Sequence, residues 1–392
     1  MSKIIILADE VFERFKDIII PQQHGFYKKR STVTNLVDYT EKLQRAIDES
    51  CQVDSIYTDF SKAFDKVSLT RLLQKLEANG ISGKMLQWFK SYITGRRQRV
   101  QIGEYFSKSF GVLSSVAQGS HLGPLLFSLY INDIGEIMEG IDFCLYADDL
   151  KMQKRIESVA DAHHLQASLD RLQSYVNENQ LQLNIKKCIV RSFTTKTSNA
   201  MLHHYSIDGK ILSRQDEVRD VGIIFDCKLK FIHHVDKICS KARQMYGFIT
   251  RVGRNFKKPE TMKLLYCSLV RSNLEYASVI WNPSTAQQIK QLETIQHKFL
   301  KFMAGKYFGD NNQTINYEKY EKILNLETLE MRRVVADVKF TINSFSEEVD
   351  SQTFIDKFNF NVPERLTRNF QVFRTNNSKK EISISSVMNR LW

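Results

Sequence analysis

Three aspartates at two places in the chain carry the chemistry it offers. Asp59 follows the alternating run Ser55-Ile56-Tyr57-Thr58, and Asp148-Asp149 close the run Phe143-Cys144-Leu145-Tyr146-Ala147. Read as a strand, the second run sets Phe143, Leu145 and Ala147 on one face and Cys144 and Tyr146 on the other. Adjacent carboxylates at the end of a buried strand repel and resist burial unless a cation sits between them. Mg²⁺ is held in this way, by one or two carboxylates together with substrate phosphates. Taken alone, the pair is equally a solvated polar turn.

The elements that must position these carboxylates follow from periodicity. A strand is expected over 55–60, ending on Asp59, and a helix over 68–79 with Leu69, Leu72, Leu73 and Leu76 inward, closed by Asn79-Gly80. Further helices are expected over 9–20, from a Ser31 or Thr32 cap to Ile47, over 84–93, 125–134 and 160–177. Residues 100–112 look like a hairpin turning near Gly103, residues 181–190 lead into a strand, Asp208-Gly209 marks another turn, and 218–225 reads as a strand. The loop 114–124 is rich in small residues. Beyond about residue 232 the spacing becomes helical, over 235–250, 259–281, 284–303 and 318–343. Ile289, Leu292, Ile295, Phe299 and Phe302 form the clearest stripe, and the tail from Ser344 is expected to be partly ordered at best. No tandem repeat is present.

Charge is distributed unevenly. The net charge is +12, yet residues 1–195 carry 25 Lys and Arg against 23 Asp and Glu, whereas residues 196–392 carry 31 against 21. A nearly neutral front with acidic clusters beside a basic back half suits a catalytic module joined to one that holds a polyanion. The 6 cysteines form no C-x-x-C pair and suggest no disulfide framework, so the chain reads as intracellular. Cys227 and Cys239 flank His233-His234, but the spacing fits no common zinc class. The apolar run after Lys3 is too short for a signal peptide, and no run approaches the ~20 apolar residues of a membrane helix.

Set in order, these blocks resemble the reverse transcriptases of non-LTR retrotransposons, of the jockey-like group. The blocks are residues 23–32 (QHGFYKKRST), 57–67 (YTDFSKAFDKV), 91–100 (SYITGRRQRV), 118–127 (QGSHLGPLLF), 130–134 (YINDI) and 145–151 (LYADDLK). Residues 183–188 (LNIKKC) resemble the family's motif D, residues 220–223 (DVGI) its primer-grip hairpin, and 274–283 and 292–302 its thumb. The resemblance implies an α+β right-hand polymerase fold: partial fingers over 1–58, a palm over 59–231 with inserted fingers elements, a helical thumb over 232–305 and a helical extension with a partly ordered tail over 306–392. It implies an RNA-directed DNA polymerase that uses two Mg²⁺ ions, or Mn²⁺, an RNA template, a DNA primer or target and dNTPs. No membrane is implied, and no protein partner is indicated. Action would be nuclear, with a cytoplasmic RNA-bound stage.

By the same resemblance Asp59, Asp148 and Asp149 would be metal ligands, with the Phe60 carbonyl as a backbone ligand. Phe64 would be the gate against a ribose 2′-hydroxyl, with a core aromatic as the alternative. Tyr146 would lie near the primer end, and Gln118 and Gly119 would line the nucleotide and template pocket, Gly119 to allow close approach. Lys187 would be the acid that protonates pyrophosphate, or else a solvated lysine. Lys28, Lys29 and Arg30 would contact template or phosphate. The family usually reads Gly-Val-Pro-Gln-Gly-Ser where this chain has Ser115-Val116-Ala117-Gln118-Gly119-Ser120. The chain also begins just after the place of an early fingers block and an N-terminal endonuclease domain, and it shows no C-terminal Cys/His knuckle. A shortened or decayed copy is therefore the expectation, with a catalytically impaired nucleic-acid-binding remnant as the alternative function. A host-type reverse transcriptase fits the blocks less well.

Overall fold

The computed structural model describes residue 15 and residues 18–195, 200–283 and 285–356. The helix expected over 9–20 lies mostly outside these residues, and its described end, residues 18–20, is a turn rather than helix; the tail beyond 356 lies outside them too. The described residues form two compact units, one of those up to 35 together with those in 50–215, the other of 36–49 together with those in 216–356.

The first unit is α+β. Its five-stranded sheet has the order Ser213–Arg214, Ile189–Phe193, Gln52–Thr58, Asp149–Ile156, Asp142–Tyr146. The central strand Gln52–Thr58 runs antiparallel to both neighbours, in register Gln52↔Ile156 to Thr58↔Leu150 on one side and Val53↔Phe193 to Tyr57↔Ile189 on the other. Only the short edge strand Ser213–Arg214 is parallel to its neighbour. The strand thus starts three residues earlier than its alternation suggests and stops just short of Asp59. Its early part is hidden by a buried polar knot. Asp54, fully buried, accepts hydrogen bonds from Gln52 Nε2 (2.9 Å), Ser192 Oγ (2.5 Å) and Tyr205 Oη (2.9 Å), and Arg214 Nη1 lies 3.6 Å away. A buried carboxylate is tolerable only when satisfied in this way.

Helices cover the sheet as the stripes predict. Val159–Glu178 opens on a Ser158–Asp161 capping box and buries Ala162, Leu165, Leu169, Leu172 and Val176. Leu69–Ala78 buries Leu69, Leu72 and Leu76. Ser31 of this unit caps the helix Thr32–Asp48, most of which belongs to the second unit: its Oγ accepts from the Thr34 N–H while Thr34 Oγ1 accepts from the Ser31 N–H. The expected helix over 125–134 instead ends at Tyr130 and continues as a 3₁₀ segment, Asn132–Ile137, where Asn132 bonds the backbone of Ile18 and Ile20. The expected hairpin is present as two successive two-stranded stretches, Gln101–Ile102 with Tyr105–Phe106 at the tip and Arg97–Gln98 with Phe110–Gly111 before it.

The second unit is mainly helical. The expected strand over 218–225 is a hairpin, Val218–Asp220 against Ile223–Phe225, because Val221 (φ 41°) and Gly222 (φ 95°) both take the left-handed region a tight turn requires. The helix expected over 259–281 is interrupted. Pro259–Leu265 passes into a π-turn at Tyr266–Arg271, and the later part breaks at Ala277 (φ 51°) before Ser278–Trp281. The π-turn sets Tyr266 flat against Phe299, ring centroids 4.1 Å apart, with its hydroxyl donating to Gln296 Oε1. Ala286–Phe308 buries Leu292, Ile295 and Phe299, while Ile289 and Phe302 sit half-buried at the margins. Leu329–Phe345 runs past Ser344, where a tail was expected to begin.

His233 and His234 part company. His233 pairs with Glu217, whereas buried His234 packs on Trp281 with its Nδ1 3.4 Å from the Ile224 N–H. Burial first, then the nearby Arg219 and Lys237 charges, pull the His234 pKa down from 6.5 to about 4. The unfolded chain therefore takes this proton first. The stability it represents, on the order of 3 kcal/mol at most, is full above pH 6.5 and is lost as the pH falls toward 4. Thermal unfolding between pH 7 and 4.5 should accordingly show a steeper loss for the wild type than for His234→Gln; equal slopes would contradict this.

Candidate active site

Asp59 owes its place to the sheet register. With Thr58 opposite Leu150, continuation by one residue brings Asp59 level with Asp149. The segment just past the strand is fixed from its other side: the Asn184 N–H donates to the Asp59 carbonyl (2.7 Å) and the Ser61 N–H to the Gln182 carbonyl (2.7 Å). Buried Phe60 lies between these bonds, bridged to Leu183. The same crossing delivers Lys187, whose backbone N–H closes a turn on the Asn184 carbonyl. Its ammonium stands 3.3 Å from Asp59 Oδ1, with the Lys187 side chain 66% exposed and that of Asp59 30% exposed.

The Asp pair does not end a strand together. Asp142–Tyr146 and Asp149–Ile156 form a hairpin whose last pair is Tyr146↔Asp149, so Ala147 and Asp148 are its two-residue turn and Asp149 begins the return strand. Ala147 therefore leaves the alternating face assigned to it and adopts φ 56°. Positive φ at the first central position alone marks a type II′ turn, where glycine is the usual residue. Asp148 is half-buried at the tip, Asp149 is exposed, and half-buried Tyr146 closes the ladder beneath them. Burial raises the Asp148 pKa above 3.8, and the Asp59 charge raises it further, against its own backbone N–H and Lys187. Asp59 and Asp148 thus feel one another electrostatically. Among the described residues, no three His, Cys, Asp or Glu side chains converge as a ready-made metal cage.

The remaining candidates fall around this turn to different degrees. Phe64 follows Asp59 on a 3₁₀ turn, Ala63–Lys66, and is half-buried, stacked on Phe127 (4.4 Å) with Phe26 edge-on (6.2 Å). Gate and packing are therefore compatible roles for one ring. Gln118 donates to Asp65 Oδ1 (2.9 Å), which ties the small-residue loop to the turn after Asp59. Gly119 is exposed with φ 77°, and a Cβ added there would meet nothing, so its glycine is required by backbone conformation rather than by crowding within the chain. Lys28 and Lys29 are exposed, whereas Arg30 donates to the Ile20 and Gln23 carbonyls (3.0 and 2.8 Å) and lies over Tyr27, bracing its own loop.

Sequence reasoning missed Gln23, Gly25 and Asn35, which lie against the Asp148 turn and the strand leading to it. Gln23 is separated from Ala147 by 124 residues, and no spacing signals such a contact.

Residues 3–225 match the family model for reverse transcriptase (RNA-dependent DNA polymerase). The RNA-directed DNA polymerase from mobile element jockey of Drosophila funebris is 25% identical over 299 residues, covering 72% of this chain and 32% of that protein. The probable RNA-directed DNA polymerase from transposon BS of Drosophila melanogaster is 24% identical over 327 residues, covering 80% and 35%. The chain thus spans about a third of the length of these curated relatives. Among solved structures, apo telomerase from Candida tropicalis superposes with a TM-score of 0.42 at 10% identity, covering 82% of this chain and 54% of that one.

Two stability effects follow from the site. Because the folded-state pKa of Asp148 is raised, its ionised form costs stability above the ordinary carboxylate range and nothing below it. Asp148→Asn should raise the melting temperature by about 2 °C at pH 7 and leave it unchanged near pH 3; a fall at pH 7 would refute the sign. Ser115 stands at φ 91°, in the left-handed region that favours glycine. Ser115→Gly should add about 1 kcal/mol, read as a higher urea midpoint at unchanged m.

Proposed function

Since the chain belongs to the reverse transcriptase (RNA-dependent DNA polymerase) family, we propose that it copies RNA into DNA, extending a primer 3′-hydroxyl with dNTPs. The observation that carries this reading is geometric: the register Thr58↔Leu150 brings Asp59 level with Asp149, at the hairpin turn that holds Asp148, with the Lys187 ammonium 3.3 Å from Asp59. The donor set fits Mg²⁺ or Mn²⁺, since hard carboxylate oxygens are what such ions take, and Mg²⁺ is normally completed by substrate phosphates rather than by an all-protein cage. Asp59 and Asp148 would hold the ions, with Asp149 and the Phe60 carbonyl as further oxygen donors. When bound, a metal pair supplies the charge that favours primer deprotonation and stabilises the departing pyrophosphate.

The chain's own groups account for the rest. Lys187 stands 3.3 Å from Asp59 Oδ1, and we assign it as the acid for the leaving pyrophosphate. Phe64, fixed between Phe26 and Phe127, is suited to rejecting a 2′-hydroxyl by contact. Gln118 and Gly119 would border the base pair being formed, Tyr146 the primer end. Lys28 and Lys29 would meet template phosphates, and the exposed Lys237, Lys241, Arg243, Arg251 and Arg254 of the second unit offer cations of their own to a polyanion. The first unit serves as palm with part of the fingers, the helices after 231 as thumb, and action is nuclear.

A second reading rests on one observation: the three aspartates do not converge among the described residues, as a nucleic-acid-binding remnant would allow. Primer extension on an RNA template with Mg²⁺ separates the two. The wild type should extend, while Asp148→Ala and Asp59→Ala should lose about a thousandfold or more in rate with RNA affinity kept. Salt-sensitive RNA binding without extension above the Asp148→Ala control would favour the remnant.

A further inference from the structure

We propose that Gln23 is a positioning residue for the Asp148 turn, setting the backbone from which Asp148 and Asp149 reach a divalent ion. This rests on the metal-binding reading above. Gln23 is 1% exposed and grips Ala147 at both ends of the residue. Its Oε1 accepts from the Ala147 N–H (3.0 Å), and its Nε2 donates to the Ala147 carbonyl (3.3 Å). The same Oε1 accepts from the Gly25 N–H at 2.8 Å, which fixes the side chain in its own loop. A side-chain amide used in this way replaces the strand that a hairpin tip lacks.

The neighbouring contacts hold the grip in register. The Leu145 N–H donates to the Gln22 carbonyl and the His24 N–H to the Leu145 carbonyl, both at 2.9 Å. Asn35 Nδ2 adds a second donor to that carbonyl at 3.0 Å. Gly25 lies so close that a Cβ there would stand 2.2 Å from the Ala147 nitrogen and 2.9 Å from its Cα. Ala147 itself adopts φ 56°, a conformation an alanine keeps only under external constraint. None of these bonds reaches beyond Ala147, one residue before Asp148. A buried Gln whose partners are the backbone of a metal-ligand turn orients the ligands without touching the ion, the role of the outer hydrogen bonds around metal sites.

The test uses the full chain with Gln23→Met, which keeps the length and removes all three bonds, and Gly25→Ala, which presses on Ala147 from another side. Mn²⁺ binding followed by electron paramagnetic resonance, with Asp148→Ala as blank, reads the site without activity. Mg²⁺ half-saturation in primer extension reads it with activity, and melting temperature and RNA affinity report the fold. Both variants should bind Mn²⁺ about tenfold or more weakly and shift Mg²⁺ half-saturation alike, with RNA affinity within about twofold of the wild type. Unchanged Mn²⁺ and Mg²⁺ half-saturation in both variants, whatever the melting temperature, would overturn the proposal. Should the wild type bind Mn²⁺ yet not extend, the polymerase reading fails while the Mn²⁺ comparison still decides Gln23. Wild-type Mn²⁺ binding no tighter than the Asp148→Ala blank would overturn both.

Discussion

Asp59 and Asp148 carry like charges at the end of one sheet, and the rest of the first unit depends on keeping them there. Repulsion and desolvation both favour moving them apart, and both push the Asp148 pKa upward. They stay because neither carboxylate is free to choose its backbone. Asp59 is bound by the central strand on one side and by the crossing at Gln182–Asn184 on the other. Asp148 is confined to a two-residue turn. Lys187 offsets part of the repulsion, and as an exposed ammonium on a flexible stem it can do so without fixing the geometry.

Part of the backbone strain lies in the same place. Phe26, Lys62, Ser115 and Ala147 all take positive φ without being glycine, and each lies in a loop next to Asp59, Phe64 or Asp148 in sequence or by contact. Such residues each cost of order 1–3 kcal/mol and persist only where neighbours over-determine them. The neighbours here are identifiable: Gln23 and Gly25 against Ala147, Arg30 on the carbonyls of its own loop, and the Phe64 carbonyl accepting from the Val116 N–H just after Ser115. A site assembled from strained loops on a well-packed sheet keeps its geometry through the packing, not through local preference.

How much of this could be read beforehand depended on the range of the interaction. Leu69, Leu72 and Leu76, or Ala162 through Val176, were legible because a helix face is a local pattern. So were the turn at Asp208-Gly209 and the order of the blocks around Asp59 and Asp148. The start of the central strand was not, because Gln52 and buried Asp54 look like loop residues until Ser192, Tyr205 and Arg214 arrive from far along the chain. The hairpin at Val221-Gly222 was read through as one strand, since valine rarely accepts positive φ. Placing Ala147 on a strand face failed for the same reason, as nothing in the residue itself announces a turn. Lys187 near Asp59 came from the family resemblance; Gln23 near Ala147 came from neither periodicity nor resemblance.

The basic half of the chain obeys a different rule, which is why composition alone exposed it. Lys237, Lys241, Arg243, Arg251, Arg254, Lys257 and Lys258 are all exposed in the second unit, on the helix Ile232–Val252 and the segment after it. Attraction to a polyanion works over a Debye length of about 10 Å, so it is insensitive to the position of any one side chain, and substitution among these residues changes little except the sum. A pair of carboxylates sharing metal ions answers to tenths of an ångström. The two demands therefore place unequal constraints on sequence. Charge can be spread over a helical unit and drift freely, whereas the residues that hold the Asp148 turn must come from loops far apart in the chain, and each is fixed by what it touches.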